Sequence, residues 1–124
     1  MRLGLIAGMG KDWRKSIETI KIAEELGYEL VVTGEAWGPS SLPWLTAIAL
    51  NTSSIHIGPS ILNCFSRSPA AIAQEFAAMD VLSDGRMVLG LGSSGEFVIE
   101  HFHGIPFRSP LRRLREYVDI FNLL

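Results

Sequence analysis

Arg86-Met-Val-Leu-Gly-Leu-Gly-Ser-Ser-Gly95 is an apolar run that opens into a loop of glycine and serine. Gly90, Gly92 and Gly95 spell G-x-G-x-x-G, the spacing that lets a dinucleotide-binding turn bring its backbone against a pyrophosphate. That turn belongs after the first strand of its domain, with a second strand and an acidic residue about 20 positions further on. Here the run is the fourth of its kind, helical patterns follow it, and Asp119 falls inside a helix rather than at a strand tip. The other reading is a (β/α) barrel, whose strands open at their C-terminal ends into small-residue loops that meet a ligand.

The rest of the chain repeats the same unit. Residues 3–7 form a short apolar run, and Asp12 is placed to cap a helix carrying Trp13, Ile17, Ile20 and Ala23 at helical spacing, closed by Gly27. Leu30-Val-Val-Thr33 reads as a second buried strand, followed by a glycine, proline and serine loop and a helix over residues 43–50. Residues 55–62 read as a third strand interrupted at Gly58-Pro59. Ser68-Pro69 is a cap with a first-turn proline for the helix of Ile72, Phe76, Met79 and Leu82, and Asp84-Gly85 turns the chain into the fourth strand. Ser109-Pro110 predicts the same device for a last helix with Leu111, Leu114, Val118 and Phe121 inward.

Continuous apolar strands joined by helices of ten or more residues require parallel pairing under a helical layer, so the class is α/β. Periodicity leaves open whether the sheet is flat or barrel-like. A (β/α)8 barrel takes about 250 residues. The chain carries about half the strands of such a barrel, and Phe121-Asn-Leu-Leu124 has neither glycine cap nor proline stop. The expectation is one partial domain over residues 1–124, the N-terminal half of a TIM barrel, truncated at its C-terminal side.

Of the 124 residues 48% are hydrophobic and 19% charged, enough apolar content for a core, and the net charge of −2 argues against nucleic acid or an anionic membrane as partner. Arg108, Arg112, Arg113 and Arg115 read as the solvated face of the last helix. No apolar run approaches the length of a membrane span, and Met1-Arg2 leads straight into a strand without a signal-peptide pattern. Cys64 is the single cysteine, which excludes an internal disulfide and a cysteine-based zinc site and fits the cytoplasm.

Candidate chemistry collects at the C-terminal ends of the strands. Glu35 stands in a glycine and aromatic loop beyond strand two, where it is either a solvated loop carboxylate or one whose pKa is raised by partial burial, suiting it to proton transfer or to holding a polar ring edge. Trp37 and Trp44 either wall a planar ligand or pack in the core. Cys64 has no assignable base and reads as a packing residue. His101 and His103 lie two apart on a short helix with Glu100, not the four apart that aligns two metal ligands, so no metal is expected and His103 is assigned to the turn at Gly104-Ile-Pro106. His56 is read as a hydrogen-bonded strand residue. Ser93 and Ser94, with the amides around Gly92 and Gly95, can donate to an anionic or carbonyl-bearing ligand.

Several runs carry a family resemblance. Gly58-Pro-Ser-Ile-Leu62, Ser66-Arg-Ser-Pro69, Leu82-Ser-Asp-Gly-Arg86 and Leu89-Gly-Leu-Gly92 resemble successive signatures of the bacterial luciferase-like monooxygenase superfamily. Ser94-Gly-Glu-Phe-Val-Ile-Glu100, His103-Gly-Ile-Pro-Phe107 and Arg115-Glu-Tyr-Val118 resemble its branch that uses the deazaflavin coenzyme F-420, which includes methylenetetrahydromethanopterin reductase. Ala23-Glu-Glu-Leu-Gly27 and Gly34-Glu-Ala-Trp-Gly38 are similar to the same branch.

The resemblance implies a TIM barrel that holds F-420, or alternatively flavin mononucleotide (FMN), at the strand ends and passes hydride between that ring and a small organic substrate. It further implies a bulge at the end of strand three with a non-prolyl cis peptide at Ser60-Ile61 behind the ring, and the loop Gly92-Ser93-Ser94-Gly95 along the ring's polar part. Where members of that branch often carry an Asp-His pair after strand two, this chain has Gly34-Glu35. Three functions compete: an F-420-dependent oxidoreductase, an FMN-dependent monooxygenase, and a non-catalytic half barrel that only self-assembles. In each case the open strand edges of a half barrel lead to the expectation of a homo-oligomer, and the fragment alone is expected to be inactive.

Overall fold

The computed structural model describes residues 2–124. Its elements run β1 (Gly4–Ile6), α1 (Trp13–Glu25), β2 (Leu30–Thr33), α2 (Ser41–Asn51), β3 (His56–Pro59), β4 (Leu62–Asn63), α3 (Pro69–Leu82), β5 (Leu91–Gly92), a π-helical turn Val98–Phe102 and α4 (Pro110–Phe121). All strand pairings are parallel. Val31 of β2 lies beside Leu5 of β1 and Ile57 of β3. β4 pairs with β5, Leu62 opposite Leu91 and Asn63 opposite Gly92.

The third and fourth strands stay adjacent through a bulge. Ile57 pairs with Met87 and Leu62 with Leu91, so five steps along one strand match four along the other. The extra residue lies in the Pro59-Ser60-Ile61 segment, where the Ser60–Ile61 peptide is cis, as the resemblance implied. The interruption expected at Gly58-Pro59 therefore sits later, since both residues still belong to β3. The fourth strand, expected to be continuous, makes its ladder in two short pieces around the same bulge, with Ile57 N–H to Arg86 C=O at 3.0 Å before it and Leu62 N–H to Gly90 C=O at 2.8 Å after it.

Local signals account for the helix boundaries. Asp12 caps α1 by accepting from the Lys15 amide at 3.4 Å, and Ser68 caps α3 by accepting from Ala71 at 3.1 Å with Pro69 in the first turn. Asp84 and Gly85 turn the chain with φ of 56° and 77°. The capping expected of Ser109 is corrected: it lies at φ 48° and its side chain makes no cap bond, so only Pro110 sets the start of α4. Helix α2 begins two residues before the expected Pro43, because its first amide is held by a carboxylate from outside the helix.

The core lies between the sheet and the helices: Val31, Ile55 and Ile57 are buried against Ile17 and Ile20 of α1, Leu45 and Ile48 of α2, and Ile72 and Phe76 of α3. Side chains alternate across a strand, so the other sheet face carries Ile6 and Val88, which remain 81% and 43% exposed.

At the N-terminal end of the sheet the buried Arg86 donates to five neutral acceptors: Ser83 C=O at 2.6 Å, Ala49 C=O at 2.8 Å, Thr52 Oγ1 at 2.9 Å, Ile55 C=O at 3.0 Å and Thr52 C=O at 3.1 Å. Two of these are backbone carbonyls at the end of α2, where the helix dipole favours a cation.

Candidate functional site

The loops that follow β1, β2, the bulge and β5 meet in a cleft of about 440 Å³. Its lining includes Gly8 and Met9, the whole segment 33–41, Trp44, Ser60, Ile61 and Ser94. Small side chains dominate, which leaves room for a flat molecule to approach the backbone. The floor is the bulge: Ser60 N–H donates to Thr33 C=O at 2.7 Å, tying it to the end of β2. Behind it Gly92 is a required glycine, since a Cβ there would lie 2.9 Å from Ile61 Cγ1. Ser94 turns the loop through φ 60°, a left-handed conformation that costs a serine about 1 kcal/mol and brings it to the cleft. The structure thus brings Ser60, Ile61 and Ser94 together, with Gly92 in support. Ser93 and Gly95 take local duties: Ser93 Oγ donates to Ser94 C=O at 3.1 Å, and Gly95 C=O accepts from Ile99 N–H at 3.1 Å.

Glu35 forms part of the cleft wall, but in a different electrostatic state from the one expected. Its side chain is only 6% exposed and pairs with Arg67 through Nη1 at 2.6 Å and Nη2 at 3.3 Å. Oε2 also accepts from the Ser41 amide at 2.7 Å and the Ser41 hydroxyl at 2.8 Å, which places a carboxylate on the N-terminus of α2. Burial pushes its pKa up, but the Arg67 guanidinium and the Ser41 donors more than offset that, and the carboxyl is held below the usual range. The raised pKa expected for Glu35 is therefore corrected.

Arg67, from the Ser66-Arg-Ser-Pro69 run, is the centre of this wall. It also donates to Ser40 Oγ at 3.0 Å, faces Glu75 at 3.7 Å, and offers its own carbonyl to Tyr117 Oη at 2.8 Å. Arg113 is not part of a solvated basic face: its Nε donates to Cys64 C=O at 2.7 Å and its guanidinium lies 4.7 Å from the Phe65 ring centroid. Helix α4 thereby pins the segment that presents Arg67. No signal local to these residues marks either partner, because Glu35 and Arg67 are 32 positions apart and Arg113 and Cys64 are 49 apart.

The other candidates resolve simply. Trp44 is buried and donates to Ala7 C=O at 3.0 Å, while Trp37 stands half exposed at the cleft. Cys64 is fully buried and burial pushes its thiol up, so it packs rather than reacts. His56 Nδ1 lies 3.3 Å from Glu29 C=O. The turn after the π-helix is held by Glu100, whose Oε1 accepts from the Phe107 amide at 2.9 Å, and not by the expected His103. Among the described residues no three His, Cys, Asp or Glu side chains gather as a metal site, and no helix is long and apolar enough to cross a membrane.

Parallel strands under a layer of helices, with a ligand-sized cleft across the strands' C-terminal ends, define a partial (β/α) barrel with its site in the usual place. Residues 2–124 match the family model for luciferase-like monooxygenases, and the chain belongs to that family. It is 38% identical over 122 residues to a protein of Mycobacterium tuberculosis named for coenzyme F-420-dependent oxidoreductase activity, covering 97% of this chain and 35% of that one. It is 34% identical over 106 residues to 5,10-methylenetetrahydromethanopterin reductase of Archaeoglobus fulgidus, covering 85% and 32%. The solved coenzyme F-420-dependent tetrahydromethanopterin reductase of Methanopyrus kandleri superposes with a TM-score of 0.86 at 26% identity, over 97% of this chain and 39% of that one. The chain spans about a third of the length of the curated relatives it matches. The expected class, an α/β half of a TIM barrel, holds.

Proposed function

We propose that this chain supplies the ring-binding half of an oxidoreductase that holds coenzyme F-420 in the cleft and exchanges hydride between it and a small organic substrate. The observation that carries this reading is the cleft floor, the Ser60-Ile61 bulge buttressed by Gly92 and surrounded by glycine, alanine and serine. Such a floor accepts a flat ring against backbone, and two of the relatives above are named for dependence on coenzyme F-420. The deazaflavin supplies the hydride chemistry when bound; the protein contributes position and electrostatics. Ser60 and Ile61 back the ring, Ser94 offers a hydroxyl to its polar edge, and Ser93 and Gly95 shape the loop that presents Ser94. Glu35 stays ionised and works through Arg67 and the start of α2, keeping the 35–40 wall in place. The lone buried cysteine accords with a cytoplasmic setting.

The test is a fluorescence titration of the purified protein with F-420 and with FMN. Tighter binding of F-420 is expected, and Gly92→Val should weaken it at least about tenfold by driving Ile61 out of the floor. Equal or reversed preference transfers the protein to the FMN-dependent monooxygenases.

The third reading, self-assembly, is favoured by one specific observation. Besides the exposed sheet face of Ile6 and Val88, an open groove of about 620 Å³ runs along α3 and the fourth strand, lined by Ala73, Phe76, Ala77, Met87, Leu89 and Phe121. Association of two copies would cover apolar surface of this kind.

A further inference from the structure

Beside the cleft stands an aromatic surface that the cofactor reading does not use. Trp37, in the loop after β2, meets Phe97 at 5.5 Å and Phe102 at 5.3 Å between ring centroids, each tilted by 60°. His101 adds a fourth ring, 4.5 Å from Phe97. These rings pack on one another yet stay open to solvent: Trp37 is 51% exposed, Phe97 66% and Phe102 49%. A core cluster would bury them, and rings scattered at random over a surface would not meet.

The backbone is wound to produce this convergence. Phe97 and Phe102 are five residues apart, which on an α-helix of 3.6 residues per turn puts them on nearly opposite sides. The segment Val98–Phe102 is instead π-helical, with His103 N–H bonded five residues back to Val98 C=O at 3.3 Å. Five-residue spacing then returns to the same side, and both rings face Trp37. π-helical turns occur frequently at functional sites. The aromatic surface is continuous with the cleft, because Trp37 lines the cleft, and Phe102 lines a second cleft of about 320 Å³ that shares Glu35, Ala36, Gly38 and Ser40 with the first.

We propose that Trp37, Phe97 and Phe102 form the substrate-side wall of the site and take a flat, apolar ring of the organic substrate. The proposal rests on the reading of the cleft as the F-420 site and narrows the substrate to molecules that carry an aromatic or similarly planar group. Tilted aromatic contacts reward such a ring through edge-to-face and offset packing, which a small aliphatic acid without a ring cannot make.

The experiment uses 2-naphthol as probe and glucose as the non-planar control, followed by quenching of tryptophan emission in the full chain and in the Phe97→Ala/Phe102→Ala double variant. Both substituted rings are solvent-exposed, and F-420 affinity, measured in parallel, reports that the site is intact. Saturable quenching by 2-naphthol and none by glucose is expected, with the double variant weakening naphthol at least about tenfold and changing F-420 affinity by less than about twofold. Absence of saturable quenching, an unchanged naphthol affinity in the variant, or an equal loss of F-420 affinity overturns the proposal. If naphthol binds through these rings and F-420 does not bind at all, the ring site stands and the cofactor reading falls.

Discussion

Glu35 and Glu24 show at the residue scale how carboxylates serve as fasteners in this fold. Glu24 Oε1, on α1, accepts from the amides of Ser53, Ser54 and Ile55 and so ties α1 to the start of β3. Burial raises its pKa, but those amides outweigh it, and like Glu35 it sits below its ordinary value of 4.5. A depressed carboxyl stabilises the fold only while ionised. The contribution is complete above the ordinary carboxylate range and is lost as pH falls below it through the lowered folded-state values. Glu35→Gln is expected to cost about 2 kcal/mol near neutral pH, since it leaves the largely buried Arg67 with a weaker acceptor. Urea unfolding should show the wild-type advantage shrinking as pH falls below the ordinary carboxylate range and Glu35 takes up its proton. A deficit that stays unchanged across that fall would mean that the pair's charge contributes nothing.

Two strands touch through glycine at the element scale. A Cβ on Gly58 would strike the Val88 carbonyl oxygen, and one on Gly90 would strike the Pro59 carbonyl oxygen, so each strand is glycine where the other's backbone crowds it. The contact keeps the third and fourth strands adjacent through the bulge and so sets the height of the cleft floor. Gly90→Ala is expected to cost about 1–3 kcal/mol, because backbone and not a flexible side chain must yield. Gly38, with nothing within 4 Å of a built Cβ, is the control, and Gly38→Ala should stay within about 0.5 kcal/mol of wild type. Denaturant midpoints compare the two directly; equal midpoints would remove the argument for close approach.

At the scale of the whole molecule, the described strands leave the outer edges of β1 and β5 unpaired and one sheet face uncovered. Unpaired edge amides and exposed Ile6 and Val88 both favour association. The 124-residue chain is therefore expected to sediment as a dimer or larger species at tens of micromolar. A monomer with sharp cooperative unfolding would show that these strands need no partner.

The α/β class, the parallel order and the caps at Asp12 and Ser68 were legible in the residues, because each depends on neighbours a few positions away or on an apolar period repeated along the chain. The Ser60-Ile61 bulge was legible through resemblance, since short motifs travel with their backbone shape, whereas the place of Gly92 behind Ile61 emerged only from the fold. Other features were decided by tertiary structure alone. Glu35 is an ion-paired carboxylate because Arg67 arrives from 32 residues away. Arg86 lies buried without a carboxylate because carbonyls from three separate segments converge on it. Phe97 and Phe102 share a side because one turn is wound as a π-helix. In each case the partners are distant in sequence or the period is unusual. Pairwise energies of this kind exist only after the chain has folded, so composition and spacing carry no trace of them.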